Sequence, residues 1–198
     1  MGPTGLAAEC RGGGGDLRVG LSAGALSTDI VFPNSTLRLT EQSLSASLGY
    51  RLSPRLTLLA GGGALLAGSL GGEALGVGGL AFVGVSGQAL RGGGGVPFVS
   101  ISVVASVLHA HPVQSALTSV DLKVSATAAW PLWGRLAPYL GVALFGGPVW
   151  YGGQTGTDHD HYQALAGVSL ALPLGLDAYV EGSPLGEREL SGGLGFTY

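Results

Sequence analysis

Four histidines fall in two short stretches of this 198-residue chain, His109 and His111 in one and the run Asp158-His159-Asp160-His161 in the other. Imidazole and carboxylate together suit Zn, Cu or Ni, so two neighbouring loops with these residues offer a metal site or a pH-sensitive gate. No fixed spacing such as His-Glu-x-x-His accompanies them, and a pair of solvated polar loops explains the same residues. The expectation is therefore no resident cofactor, with loop-bound zinc as the one candidate. Ser106 and His109 are near in sequence, but a three-residue step along a strand puts two side chains on opposite faces. They do not make a nucleophile–base pair, and the chain is expected not to be an enzyme. Gly92–Gly95 lack the following Lys-Ser/Thr of a phosphate loop and read as a turn.

Cys10 is the single cysteine, which excludes an internal disulfide and a zinc site built on several thiolates. Glu9 precedes it and no apolar leader does, so an inert tail is expected there rather than a lipid-modified cysteine. The net charge of −3 and a pI near 5.7, with nine scattered Lys and Arg residues, leave no basic face for nucleic acid.

The remaining charges are sorted. Arg18, Arg51, Asp121, Lys123, Asp177 and Glu181 each occupy the parity opposite to the apolar residues around them. On a strand that parity is the opposite face. Glu41 and Glu189 join this set, with Tyr139 and Tyr179, as residues expected to line an interior. Arg38 breaks the rule, which places it above any hydrocarbon layer or behind a bulge.

These charges stand on a series of period-2 segments. Val120, Leu122, Val124, Ala126, Ala128 and Trp130 alternate with Asp121, Lys123, Ser125 and Thr127. Leu17 to Ala25, Leu44 to Leu52, Val99 to Val107 and Leu176 to Val180 repeat the pattern, and Leu59, Leu65, Leu80 and Phe82 blur it between residues 56 and 85. The chain is 46% hydrophobic and only 11% charged, with 38 glycines and a mean hydropathy of +0.44. Yet it holds no run of about 18 apolar residues that a spanning helix needs. Alternate apolar residues in a weakly charged chain suit strands with one face in lipid, where a mid-bilayer Arg or Lys costs about 2–4 kcal/mol.

The reading is an all-β transmembrane antiparallel up-and-down β-barrel of ten strands, with eight as the fallback count. Residues 1–15 form a flexible N-terminal tail and 16–198 the barrel. Short turns near residues 53, 92, 133 and 175 mark the periplasmic end, and longer connections the outer one. Tyr50, Trp130, Trp133, Phe196 and Tyr198 make one aromatic girdle, and Phe32, Trp150, Tyr151 and Tyr162 the other. Inward glycines such as Gly20, Gly24, Gly61, Gly63, Gly76 and Gly78 are expected to leave open volume in the lumen.

The last residues, Leu190 to Tyr198, resemble the C-terminal strand signal of bacterial outer-membrane β-barrels, with Leu194, Phe196 and Tyr198 at alternate positions and an aromatic at the end. The resemblance implies recognition of this strand by the barrel-assembly machinery. It also implies residence in outer-membrane lipid, after removal of an export signal. It is similar to small OmpA-like and porin-like barrels in architecture, and no motif picks out a subfamily. A protease resembling the ten-stranded omptins would need long extracellular extensions, which so short a chain is expected to lack. The expected function is a small passive channel, with a closed structural or surface-binding barrel as the alternative and an outer-membrane enzyme as the minor one. Cargo and surface ligand are not specified by any residue.

Overall fold

Alternating segments that cannot bury both faces pair edge to edge until the sheet closes. The computed structural model describes residues 17–90, 96–112 and 115–198; the tail with Cys10 and the Gly92–Gly95 turn lie outside them. The strands are β1 (Leu17–Phe32), β2 (Ser35–Ser53), β3 (Leu56–Leu70), β4 (Glu73–Leu90), β5 (Phe98–Pro112) and β6 (Leu117–Ala129). They continue as β7 (Leu136–Gly146), β8 (Pro148–Tyr151), β9 (Gln154–Asp158), β10 (Tyr162–Ala171), β11 (Leu176–Gly186) and β12 (Arg188–Thr197). All pairings are antiparallel, and β12 pairs with β1 to close the sheet. The ring at membrane level runs β1 to β7, then β10, β11 and β12. Those are the ten strands the periodicity predicts.

The lipid face is the one the alternation marks. Leu21, Leu144 and Leu194 are 53%, 67% and 59% exposed. An exposed apolar surface on this scale would aggregate in water and is stable in hydrocarbon. Tyr50, Trp130, Trp133, Phe196 and Tyr198 are exposed at the end where the termini meet, and the Tyr198 N–H donates to the Leu17 carbonyl at 2.9 Å.

Strand lengths are uneven, and this shapes the outer end. The strands β10 and β12 have 10 residues, enough to cross at a 45° tilt, whereas β2 has 19 and β4 has 18. The surplus of about 5–9 residues extends β1–β5 by about 16–30 Å along the strand direction, at about 3.3 Å per residue. Their outer connections are tight: Pro33-Asn34 joins β1 to β2, and Gly71-Gly72 joins β3 to β4 with φ of 58° and 92°. Positive φ at both central residues is the hairpin geometry that glycine supplies. Long outer loops were expected; the extension is made by strands instead.

The segment read as a long loop before Tyr162 is a second hairpin, β8–β9. The strand β7 pairs with β6 up to Gly146, and β8 takes over that edge from Val149, opposite Ser119. At the handover a Cβ on Gly147 would run into the Val120 carbonyl oxygen, so only glycine lets the backbone pass so closely. On the other side β12 leaves β1 at Ser27, and β9 takes its place at Ile30 and Val31. The barrel is thus ten-stranded in the membrane and narrows to an eight-stranded ring outside it, made of β1–β6, β8 and β9.

Two bulges explain the blurred segments. The pairing of β2 with β3 skips Leu66, and that of β4 with β5 slips between Leu75 and Gly78. Each slip moves later residues to the other face. Leu75, read as lipid-facing, is buried inside beyond the β4 slip. Phe32, read as part of the outer girdle, is inside at 4% exposure on the even-numbered inward parity of β1, whose pairings with β2 and β12 carry no slip. Lipid and a dry interior select the same residue types, so parity across an unseen bulge misleads.

Candidate functional site in the barrel lumen

Arg18, Glu41, Arg51, Asp121, Lys123, Tyr139, Asp177, Tyr179, Glu181 and Glu189 lie on the less exposed parity of their strands, and none is among the exposed residues. Their arrangement divides the lumen into three levels.

At the end where the termini meet, Arg18 of β1 reaches over Gly195 of β12 to Asp177 of β11, with Nη2 to Oδ2 at 2.6 Å and Nε to Oδ1 at 3.3 Å. This two-point pairing fixes the guanidinium plane and joins strands two apart. Large rings cover the neighbouring glycines. A Cβ on Gly167 would stand 2.5 Å from the Tyr139 ring on the facing residue, and one on Gly193 would stand 2.7 Å from Tyr179. Phe82 lies over Gly61 in the same way. The inward glycines were expected to leave open volume; these three are seats for cross-strand aromatic side chains.

At mid-height Lys123 of β6 meets Glu189 of β12, Nζ to Oε2 at 3.7 Å. Three strands stand between them along the wall, so the pair crosses the lumen. Gln163 of β10 donates from Nε2 to the same Oε2 at 3.2 Å, and the Lys123 ammonium stands 5.9 Å from the Phe145 ring centroid. Glu41, Asp121 and Glu181 bring further acid to this level.

Above it the lumen is apolar. Ile30, Phe32, Leu39, Leu65, Leu70, Leu75, Ala110, Leu117 and Val149 form one buried cluster inside the eight-stranded ring, with Leu37, Leu108 and Tyr151 against it. The Tyr151 hydroxyl donates to Glu73 Oε2 at 2.9 Å, which raises its pKa and pins the hairpin to the β3–β4 turn. Asp158 on β9 faces inward beside Ile30, and burial lifts its pKa to about 6, with Asp121 adding to the rise. The sequence pattern hides this plug because its residues have ordinary strand parity.

On the outer surface Arg38 pairs with Asp29 at 2.9 Å, and the Arg38 hydrogen bond lowers the Asp29 pKa. The histidine stretches stay apart. His109 and His111 stack edge to face on β5 at 4.7 Å, and His109 Nδ1 is 2.8 Å from the Thr118 hydroxyl. His159 lies 3.4 Å from Asp160 on the β9–β10 connection, with β6 and β8 between the two groups. Among the described residues no three His, Cys, Asp or Glu side chains are placed to hold one ion. Leu194, Phe196 and Tyr198 are exposed at the end of the chain.

A closed, twisted sheet with an apolar outer belt and a charged lumen is the fold of the outer-membrane β-barrels. The structure resembles the outer membrane protease OmpT from Escherichia coli, with a TM-score of 0.52 at 10% identity over 92% of this chain and 96% of that one. It resembles an outer membrane channel from Pseudomonas putida F1 with a TM-score of 0.53 at 9% identity, over 93% and 96% of the two chains. The transport unit of the autotransporter AIDA-I from Escherichia coli gives 0.51 at 12% identity, over 92% and 90%. No protein-family model matches the sequence, and no curated protein does.

Proposed function

We propose that this chain is a bacterial outer-membrane barrel shut along its axis, acting as a structural or surface-binding protein. The observation that carries the reading is the apolar cluster from Ile30 to Val149, which fills the outer ring above the Lys123–Glu189 pair. Ions do not cross a dry apolar constriction without a large desolvation cost. The outer belt of Leu21, Leu144 and Leu194 supports residence in lipid, and the terminal Leu194, Phe196 and Tyr198 support delivery by the assembly machinery. Binding would then fall to the outer rim, where Trp150 and the histidine stretches are exposed. No catalytic step is assigned: Ser106 faces in and His109 faces out on β5.

The second reading is the small passive channel, favoured by the acidic mid-lumen, whose charge would set a cation preference. Planar-bilayer recording of the refolded protein separates the two. A silent bilayer from wild type, with steps appearing in a Phe32→Ser, Leu39→Ser, Leu75→Ser variant, fits the closed barrel. Reproducible steps from the wild type overturn it.

A further inference from the structure

The hairpin of β8 and β9 closes the outer ring on shorter ladders than join any other neighbouring strands. The strands β1 and β2 stay in register from Leu17–Tyr50 to Phe32–Ser35, and β5 and β6 from Phe98–Ala129 to Ala110–Leu117. By contrast β9 meets β1 at Ile30–Asp158 and Val31–Thr157, and β8 meets β6 from Leu117–Tyr151 to Ser119–Val149. Within the hairpin the ladder is complete, from Pro148–Thr157 to Tyr151–Gln154, with Gly152 and Gly153 at φ of 57° and 74° in the turn. It is a coherent unit hung on two short seams.

Few of its side chains hold it in place. Of the buried apolar cluster Val149 alone comes from the hairpin, and the other members stand on β1 to β6. Trp150 faces outward. On the inner side the Phe32 ring lies over Gly156, and the Tyr151 hydroxyl reaches past β6 and β5 to Glu73 of β4. The feet are pinned more firmly: the His159 N–H donates to the Asp29 carbonyl at 2.8 Å and the Phe145 N–H to the His161 carbonyl at 3.1 Å. Gly146 and Gly147 lead into the hairpin beside the second of these bonds.

Local opening is easiest where few backbone pairs and little buried apolar surface are given up. We infer that β8–β9 is a flap that swings outward as a unit about Gly146-Gly147 and His159–His161, parts from β1 and β6, and opens the eight-stranded ring sideways onto the apolar cluster, with the Tyr151–Glu73 hydrogen bond as its latch. Hinges at element ends are the usual site of such motion. The strands β1 to β6 keep their long ladders and the cluster they carry. This goes beyond the closed-barrel reading and does not depend on it, because the seam opens at the side whether or not ions pass along the axis.

The test is amide hydrogen exchange of the whole protein in detergent micelles, joined to thiol labelling in a Cys10→Ser background, Cys10 being the chain's one cysteine. In wild type the amides of Val149 to Tyr151 and of Thr155 to Thr157 should exchange together, about tenfold or more faster than those of Leu122 to Ala128 on β6. Tyr151→Phe should speed the hairpin severalfold again and leave β6 unchanged. Ile30→Cys, beneath the β9 seam, should react with a water-soluble maleimide, and faster when combined with Tyr151→Phe. Ala129→Cys, likewise buried but at the far end of β6, should stay unlabelled. Fast exchange confined to Gly152 and Gly153 would mean fraying of the turn and would overturn the inference. So would hairpin amides as slow as those of β6, equal acceleration of every strand by Tyr151→Phe, or equal labelling of the two cysteines.

Discussion

Lys123 of β6 and Glu189 of β12 meet at 3.7 Å across the barrel, joining walls that no backbone hydrogen bond connects. Gln163 orients the same carboxylate oxygen from β10. Removing the cation alone strands Glu189 in a low-dielectric interior. Lys123→Met should therefore destabilise the barrel by roughly 3–5 kcal/mol, whereas Lys123→Met combined with Glu189→Leu should lose far less. Unfolding midpoints of the two variants in detergent decide it, and equal losses would show that the pair is not a unit.

The seat of Tyr139 on Gly167 gives a second expectation. Gly167→Ala puts a methyl group 2.5 Å from the ring and 2.6 Å from the Val180 carbonyl oxygen. Overpacking of this kind costs about 1–3 kcal/mol. The double variant Gly167→Ala, Tyr139→Ala should be less destabilised than the two single losses added together, read as a non-additive shift in midpoint.

Asp158 has a pKa raised to about 6 in the folded protein against an ordinary 3.8, chiefly by burial. An acid whose pKa is raised on folding favours the folded state when protonated. Its penalty is absent below about pH 4, grows as pH rises, and is complete above about pH 6. Asp158→Asn should stabilise the β8–β9 hairpin at pH 8 by on the order of 1–2 kcal/mol, reduced from the full linkage value because the group is partly exposed. Protection of β9 amides in hydrogen exchange should increase at pH 8 and match wild type at pH 4.

For the histidines, zinc at micromolar concentration should leave the melting midpoint unchanged in wild type and in a variant with His109, His111, His159 and His161 all replaced by Ala. The two groups are separated by β6 and β8, and neither alone supplies three ligands. A zinc-dependent rise in wild type only would show that the outer connections rearrange to bind.

Phe196 lies exposed near the end of β12, 41% accessible, at the rim where the chain closes on β1. Phe196→Asp should cut the yield of heat-modifiable barrel in cells while leaving refolding from denaturant into detergent largely intact. Loss of both would show an effect on folding rather than on recognition.

Much of the wall was legible from residues alone. The alternation around Val120 to Trp130, with Asp121 and Lys123 between, determines which face meets lipid, because a strand turns each successive side chain over and hydrocarbon rejects charge. That local rule gave the strand number of the closed ring. It gave neither the partner of each inward group nor the shape of the outer end. Ile30 and Phe32 look from sequence like any apolar strand residues, since lipid and a dry plug demand the same side chains. Which of the two they meet depends on β8 and β9 replacing β7 and β12 along β6 and β1. Those pairings link residues more than a hundred positions apart in the case of Ile30 and Asp158, and only closure of the sheet brings their backbones into hydrogen-bonding register.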